Sequence, residues 1–95
     1  MGNVVNITVR KRRDNPRNPL GRVFLVLRDA SYWMDLDEIQ EAIEARFEAE
    51  DSIPVILARI HELADLGETI ESRISLGVGV AHREYRMGDV PQGAA

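Results

Sequence analysis

The stretch SIPVILARIHELADLG, residues 52–67, decides how this chain is read. Ser52 is a helix-capping residue type, because its side-chain oxygen accepts from a free N–H of the first turn. Ile53, Ile56, Ile60, Leu63 and Ala64 then recur at helical spacing and form one apolar stripe. Gly67 ends the pattern, since glycine takes the left-handed conformation past a helix end without a Cβ clash. The spacing predicts a helix with one buried face. On its other face stand Pro54, Val55 and Leu57, none of which carries a side-chain donor or acceptor.

Upstream, Asp35-Leu36-Asp37-Glu38 can form a capping box, with Glu38 three positions after the capping aspartate. Leu36, Ile39, Ile43 and Phe47 follow as a buried stripe, so a helix is expected over 36–47. FEAED is the short link to the next helix. Asn18 before Pro19 is a favourable helix start, and Leu20, Val23, Phe24 and Leu27 share a face, which predicts a helix over 19–29. Tyr32-Trp33-Met34 is too short for a helix and reads as a small strand or tight connector. Tyr32 and Trp33 are expected to plug the core around the second helix.

After Gly67 the period changes from helical to alternating. TIESRIS (69–75) and AHREYRM (81–87) read as two strands joined by LGVGV, with Arg73 and Ser75 on one face and Ile74 opposite. Near the N-terminus, VVNITV (4–9) also alternates. Val5, Ile7 and Val9 fall on one side and Asn6 and Thr8 on the other, which predicts a short half-buried strand. The next residues, RKRRDNPRN, form a basic loop or arm. The expected organisation is a strand and arm over 1–18, one folded unit over 19–88 and a flexible tail over 89–95.

Ninety-five residues make one small domain that buries roughly 60–65% of its unfolded surface. No cysteine is present, so no disulfide, thiol nucleophile or cysteine-based zinc site is available. No apolar run approaches the length that spans a membrane. The basic run follows the apolar N-terminal stretch instead of preceding it, so a secretory signal is not expected. An intracellular, cytoplasmic location follows as an expectation. The net charge of −4 hides an asymmetry: residues 1–22 carry a balance of +5 and residues 23–95 a balance of −9. A basic arm is joined to an acidic body, which bears on partners rather than on fold.

Catalytic chemistry finds little support. His61 and His82 are the only histidines, and neither has the i, i+4 histidine partner of a helical metal site. Gly77-Val78-Gly79 lacks the lysine and the strand-to-helix setting of a phosphate loop. No enzyme, metal or cofactor is expected.

Several segments resemble small phage and prophage winged helix-turn-helix proteins. SYWMDLDEI (31–39) looks like the entry to their second helix. Ser52, Ile56, Ala58-Arg59-Ile60, Glu62-Leu63 and Gly67 are similar to their serine-capped recognition helix, and Arg83-Glu84-Tyr85-Arg86 resembles their closing wing strand. The likeness covers about residues 19–87. It implies an α+β winged-helix fold, three helices plus a β-hairpin wing, with a short extra N-terminal strand. It also implies an origin in an infected or lysogenic bacterium.

Two function classes follow. The first, which leads, is a protein-binding effector. Glu38, Glu41, Glu44 and Glu48 fall on the outward side of the second helix, with Glu50 and Asp51 extending the cluster. Together with an apolar patch of Pro54, Val55 and Leu57 they would dock on a basic host protein or nucleoprotein complex, with carboxylates standing in for phosphates. An anti-CRISPR or similar anti-defence inhibitor fits that description. The second class is a double-stranded DNA-binding transcriptional regulator, the default role of the fold. Arg59 would read bases, and Ser52 with the helix N-terminus would hold a phosphate. Arg73, His82, Arg83 and Arg86 of the wing and Arg10, Lys11, Arg12 and Arg13 of the arm would supply affinity. The opposing readings are that the wing charges pair with Glu71 and Glu84, and that the arm is a solubilising loop or folds onto the acidic body. A homodimer through residues 4–9 is compatible with either class.

Overall fold

A computed structural model describes residues 13–77 and 79–88. The strand expected over 4–9, the basic residues Arg10, Lys11 and Arg12 and the tail over 89–95 lie outside the described residues. The elements run α1 (Pro19–Asp29), β1 (Met34–Asp35), α2 (Leu36–Phe47), α3 (Ile53–Asp65), β2 (Ile70–Leu76) and β3 (Ala81–Met87). Among the described residues the fold is α+β, three helices and a three-stranded antiparallel sheet in the order β1-β3-β2.

Each helix starts where its capping chemistry lies. Asn18 Oδ1 accepts from Gly21 N–H at 2.8 Å. Asp35 and Glu38 complete the capping box, with both bonds at 2.8 Å. Ser52 Oγ accepts from Val55 N–H at 3.4 Å. Gly67, with φ +105°, follows α3 in a conformation that L side chains rarely adopt. By contrast α2 ends on Glu48, a non-glycine residue in the left-handed region at φ 55°.

Tyr85 of β3, the middle strand, lies opposite both Met34 of β1 and Ser72 of β2. β2 begins one residue later than the alternation suggests. Thr69 closes the hairpin base instead, its carbonyl accepting from Gly88 N–H at 2.8 Å.

The core lies between the helices and one face of the sheet. Val23 and Leu27 of α1, Ile39 and Ile43 of α2, and Ile56, Ile60 and Leu63 of α3 meet Met34 and Tyr85. Each such side chain stabilises the fold by roughly 1.5–3 kcal/mol relative to exposure. Ala64, placed on the buried stripe by its spacing, is exposed, because the stripe narrows to Ile56, Ile60 and Leu63.

Two polar devices join the helices. Arg22 Nε and Nη2 donate to the two carboxylate oxygens of Asp51, both at 2.8 Å, and Arg22 Nη1 donates to the Pro16 carbonyl at 2.9 Å. Asp51 is only 7% exposed, and the hydrogen bonds from Arg22 raise the arginine's pKa further against the opposing effect of burial. At the other end, Asp29 accepts from Arg28 at 2.9 Å and pairs with Arg46 at 2.8 Å, tying the end of α1 to α2. Gly21 lets the chain pass close: a Cβ there would sit 1.8 Å from the Asn15 carbonyl oxygen.

Tyr32 and Trp33 are not core plugs. Tyr32 is 55% exposed. Trp33 precedes Met34, whose side chain enters the core, so strand alternation turns the indole to the opposite face. There the guanidinium carbons of Arg73 and Arg86 stand 4.4 and 4.6 Å from its ring centroid. No helix among the described residues is long and apolar enough to cross a membrane.

Candidate interaction surfaces

The outward face of α2 is acidic as its spacing predicts. Glu38, Glu41, Glu44 and Glu48 are all exposed. Glu38 is already engaged, since its Oε1 accepts the Asp35 N–H of the capping box. Glu41 and Glu44 share a shallow hollow of about 250 Å³ with Glu50. Glu41, Glu44, Glu48 and Glu50 form no ion pair among the described residues. Asp51 leaves the cluster: it is buried against Arg22, because the link from α2 to α3 turns it inward under α1.

The apolar patch on α3 is smaller than its sequence suggests. Pro54 is exposed and Val55 half-buried. Leu57 packs against the core, because its position beside Ile56 and three residues before Ile60 puts it at the edge of the buried stripe. Ser52 is exposed and occupied in capping Val55.

The cations of the DNA reading are committed to neighbours. Arg59 Nε lies 3.0 Å from Glu62 Oε1 along the same helix. Arg73 Nε donates to Glu84 at 2.9 Å, and Arg86 donates to Glu71 at 2.6 and 3.0 Å. His82 Nε2 stands 3.7 Å from Glu84 and 3.8 Å from Asp35. Arg13 pairs with Glu68 and donates to the Leu66 carbonyl at 2.6 Å, so this member of the arm lies against the body. Arg83 is the exception: it donates to Ser72 Oγ at 3.2 Å and makes no ion pair among the described residues.

One feature escaped the sequence. Ile74, Leu76 and Val80 are 54%, 81% and 66% exposed near the hairpin tip. The signal was present in the apolar residues flanking the two glycines of LGVGV. Two hollows border this region. A groove of about 470 Å³ between α3 and the hairpin is lined by Leu57, His61, Ala64, Ile70, Ser72 and Arg83, among others. A second, of about 360 Å³, brings Leu36 and Ile53 under Val80, with Asp35 and Asp37 at its rim. Among the described residues no three His, Asp or Glu side chains gather where a metal ion would bind.

No family model, curated protein or solved structure matches this chain. The surfaces must therefore be read by their own chemistry. Nine basic and fifteen acidic residues lie among the described ones. With most of the cations held by carboxylates, the surplus negative charge gathers on the exposed face of α2 and the link that follows it, where it favours cationic partners.

Proposed function

We propose that this chain is a non-enzymatic, protein-binding effector on a phage-type winged helix-turn-helix scaffold. The order α1-β1-α2-α3-β2-β3, with β1 pairing on β3, supports the scaffold. One observation carries the function. Arg13, Arg59, Arg73 and Arg86 each face a carboxylate of their own chain, whereas Glu41, Glu44, Glu48 and Glu50 face outward without one among the described residues. Surface pairs are individually weak, about 0–1 kcal/mol, but several together lower the positive field that phosphates would meet.

The partner this surface suits is a basic, nucleic-acid-handling protein. Carboxylates of α2 would occupy positions normally taken by phosphates, and Pro54, Val55 and Val80 would supply apolar contact beside them. An anti-CRISPR or related anti-defence inhibitor in an infected bacterium is the role in which such mimicry has an evident use.

The DNA-regulator reading keeps one specific support. Arg83 projects from β3 beside α3 without a carboxylate partner among the described residues. An anisotropy titration with mixed-sequence duplex DNA at low and at physiological salt separates the two. The effector reading expects no binding at either salt. Binding that weakens steeply as salt rises would favour the regulator instead. A positive test is capture of a basic protein from bacterial lysate, released by added duplex and lost in Glu41→Lys with Glu44→Lys. Capture that survives the charge reversal would move the interface away from α2.

A further inference from the structure

β2 is the outer strand of the order β1-β3-β2, and among the described residues no strand pairs with its far edge. Gly88 N–H donates to the Thr69 carbonyl and Gly77 N–H to the Val80 carbonyl, both continuing the β2–β3 register. Bonded and non-bonded pairs alternate in an antiparallel ladder. Thr69, Glu71, Arg73, Ser75 and Gly77 therefore turn their backbone groups toward β3. Ile70, Ser72, Ile74 and Leu76 turn theirs toward the far edge. Ser72 and Ile74 are exposed there, Ile74 by 54%. Such an edge is a template for another strand.

The side chains of β2 specify which strand fits. On the face opposite to that of Tyr85, the charges of the hairpin form a checkerboard. Arg86 donates to Glu71 and Arg73 to Glu84, each across a directly opposed pair. The outer column of this pattern is Glu71 and Arg73, one charge of each sign two residues apart. An antiparallel copy of the same strand inverts their order, so it sets arginine against glutamate in both rows.

Few registers allow ladder bonds across the edge. Ile70, Ser72, Ile74 and Leu76 of each copy must meet their counterparts, so a two-fold axis passes beside a residue rather than between two. An axis beside Glu71 sets that glutamate against its own copy, and an axis beside Arg73 does the same to the arginine. Like charges directly opposite destabilise a sheet. An axis beside Ile74 sets Ser72 against Leu76 and leaves Glu71 without a charge across the edge. An axis beside Ser72 suits every row: Glu71 faces Arg73, Ile70 faces Ile74, Thr69 faces Ser75 and Ser72 faces its own copy.

We propose that β2 pairs antiparallel with β2 of a second copy of this chain, about a two-fold axis beside Ser72. The sheet then runs β1-β3-β2-β2-β3-β1. On its outer face Glu84, Arg73, the second copy's Glu71 and the second copy's Arg86 alternate in sign along one row, and the neighbouring row repeats them in reverse. On the inner face Ile74 of each copy is covered by Ile70 of the other. The groove of about 470 Å³ between α3 and the hairpin, lined in part by Ile70 and Ser72, leaves room over that row. α2 packs against β1 and β3, so its Glu41 and Glu44 face lies away from the contact and the dimer presents two such faces.

Sedimentation over a concentration series should show the unaltered chain passing from monomer to dimer. Arg73→Glu and Glu71→Arg should each weaken that association about tenfold, because each sets like charges opposite one another twice. Mixed in equal amounts, the two variants should dimerise again, since glutamate faces arginine in both rows of the mixed pair. A folding defect would not be cured by mixing. The chain has no cysteine, so single introduced thiols report the register. Ser72→Cys should oxidise to a linked dimer roughly tenfold faster than Ile74→Cys, whose two copies stand four residues, about 13 Å, apart along the edge. A monomer at every concentration, no recovery on mixing, or equal oxidation of the two thiols would overturn the proposal.

Discussion

The same chemistry, arginine against carboxylate, appears at the two ends of this molecule in opposite settings. Between the helices, Arg22 and Asp51 form a two-bond pair whose side chains are 13% and 6% exposed. On the hairpin, Arg86 and Glu71 pair at 2.6 Å with side chains 45% and 42% exposed. The first pair replaces solvation that neither group can recover, so each needs the other. The second competes with water at every moment. The helical end is thus held by burial, and the hairpin by its backbone ladder with charge and stacking laid over it.

The largest expected effect tests that contrast directly. Asp51→Ala leaves the Arg22 guanidinium buried without its counter-charge, and urea unfolding should show a loss of about 3–5 kcal/mol. Arg22→Met with Asp51→Leu should recover most of it, because an apolar pair of similar volume needs no counter-charge. A loss under about 1 kcal/mol in Asp51→Ala would mean that the pair behaves like a surface one. Gly21→Ala ranks next. Its Cβ meets the Asn15 backbone, which must shift, and a cost of about 1–3 kcal/mol should appear as a lower melting temperature.

On the hairpin, a double-mutant cycle on Arg73 and Glu84 should return a coupling below about 1 kcal/mol. Arg73→Ala should also shift the Trp33 emission, since one of the two cations on the indole is lost. No shift would separate the indole from Arg73. The smallest effect is on acid sensitivity. Hydrogen bonds from Arg28 and then Arg46 hold Asp29 below its ordinary value of 3.8. A carboxylate depressed in the folded state stabilises above its unfolded value and loses that contribution as pH falls through the folded one. Asp29→Asn should therefore remove a small part of the stability lost below about pH 4, with little added change in more acidic solution.

Local chemistry made the helices legible. Asn18, Asp35 and Ser52 mark their starts through bonds to amides three residues away, and the stripes in between repeat at helical spacing. Short-range signals of this kind survive in sequence. What stayed hidden needs two distant segments at once. Asp51 looked like one more surface acid because its partner, Arg22, lies in α1, 29 residues away. Leu57 looked outward because the width of a buried stripe depends on what packs against it. Trp33 looked like a core residue until the two-residue strand after it fixed which side it faces. For the binding surfaces, charge was legible along α2, whereas the pairing of the hairpin cations depended on the cross-strand register, which spacing does not specify.

The Arg13 contact has a consequence for the order of folding. It joins residues 55 and 53 apart in sequence, so a long loop must close before it contributes anything. The capping bonds of the three helices span three residues each and need no such closure. A pair of this reach belongs to the finished fold rather than to its first contacts.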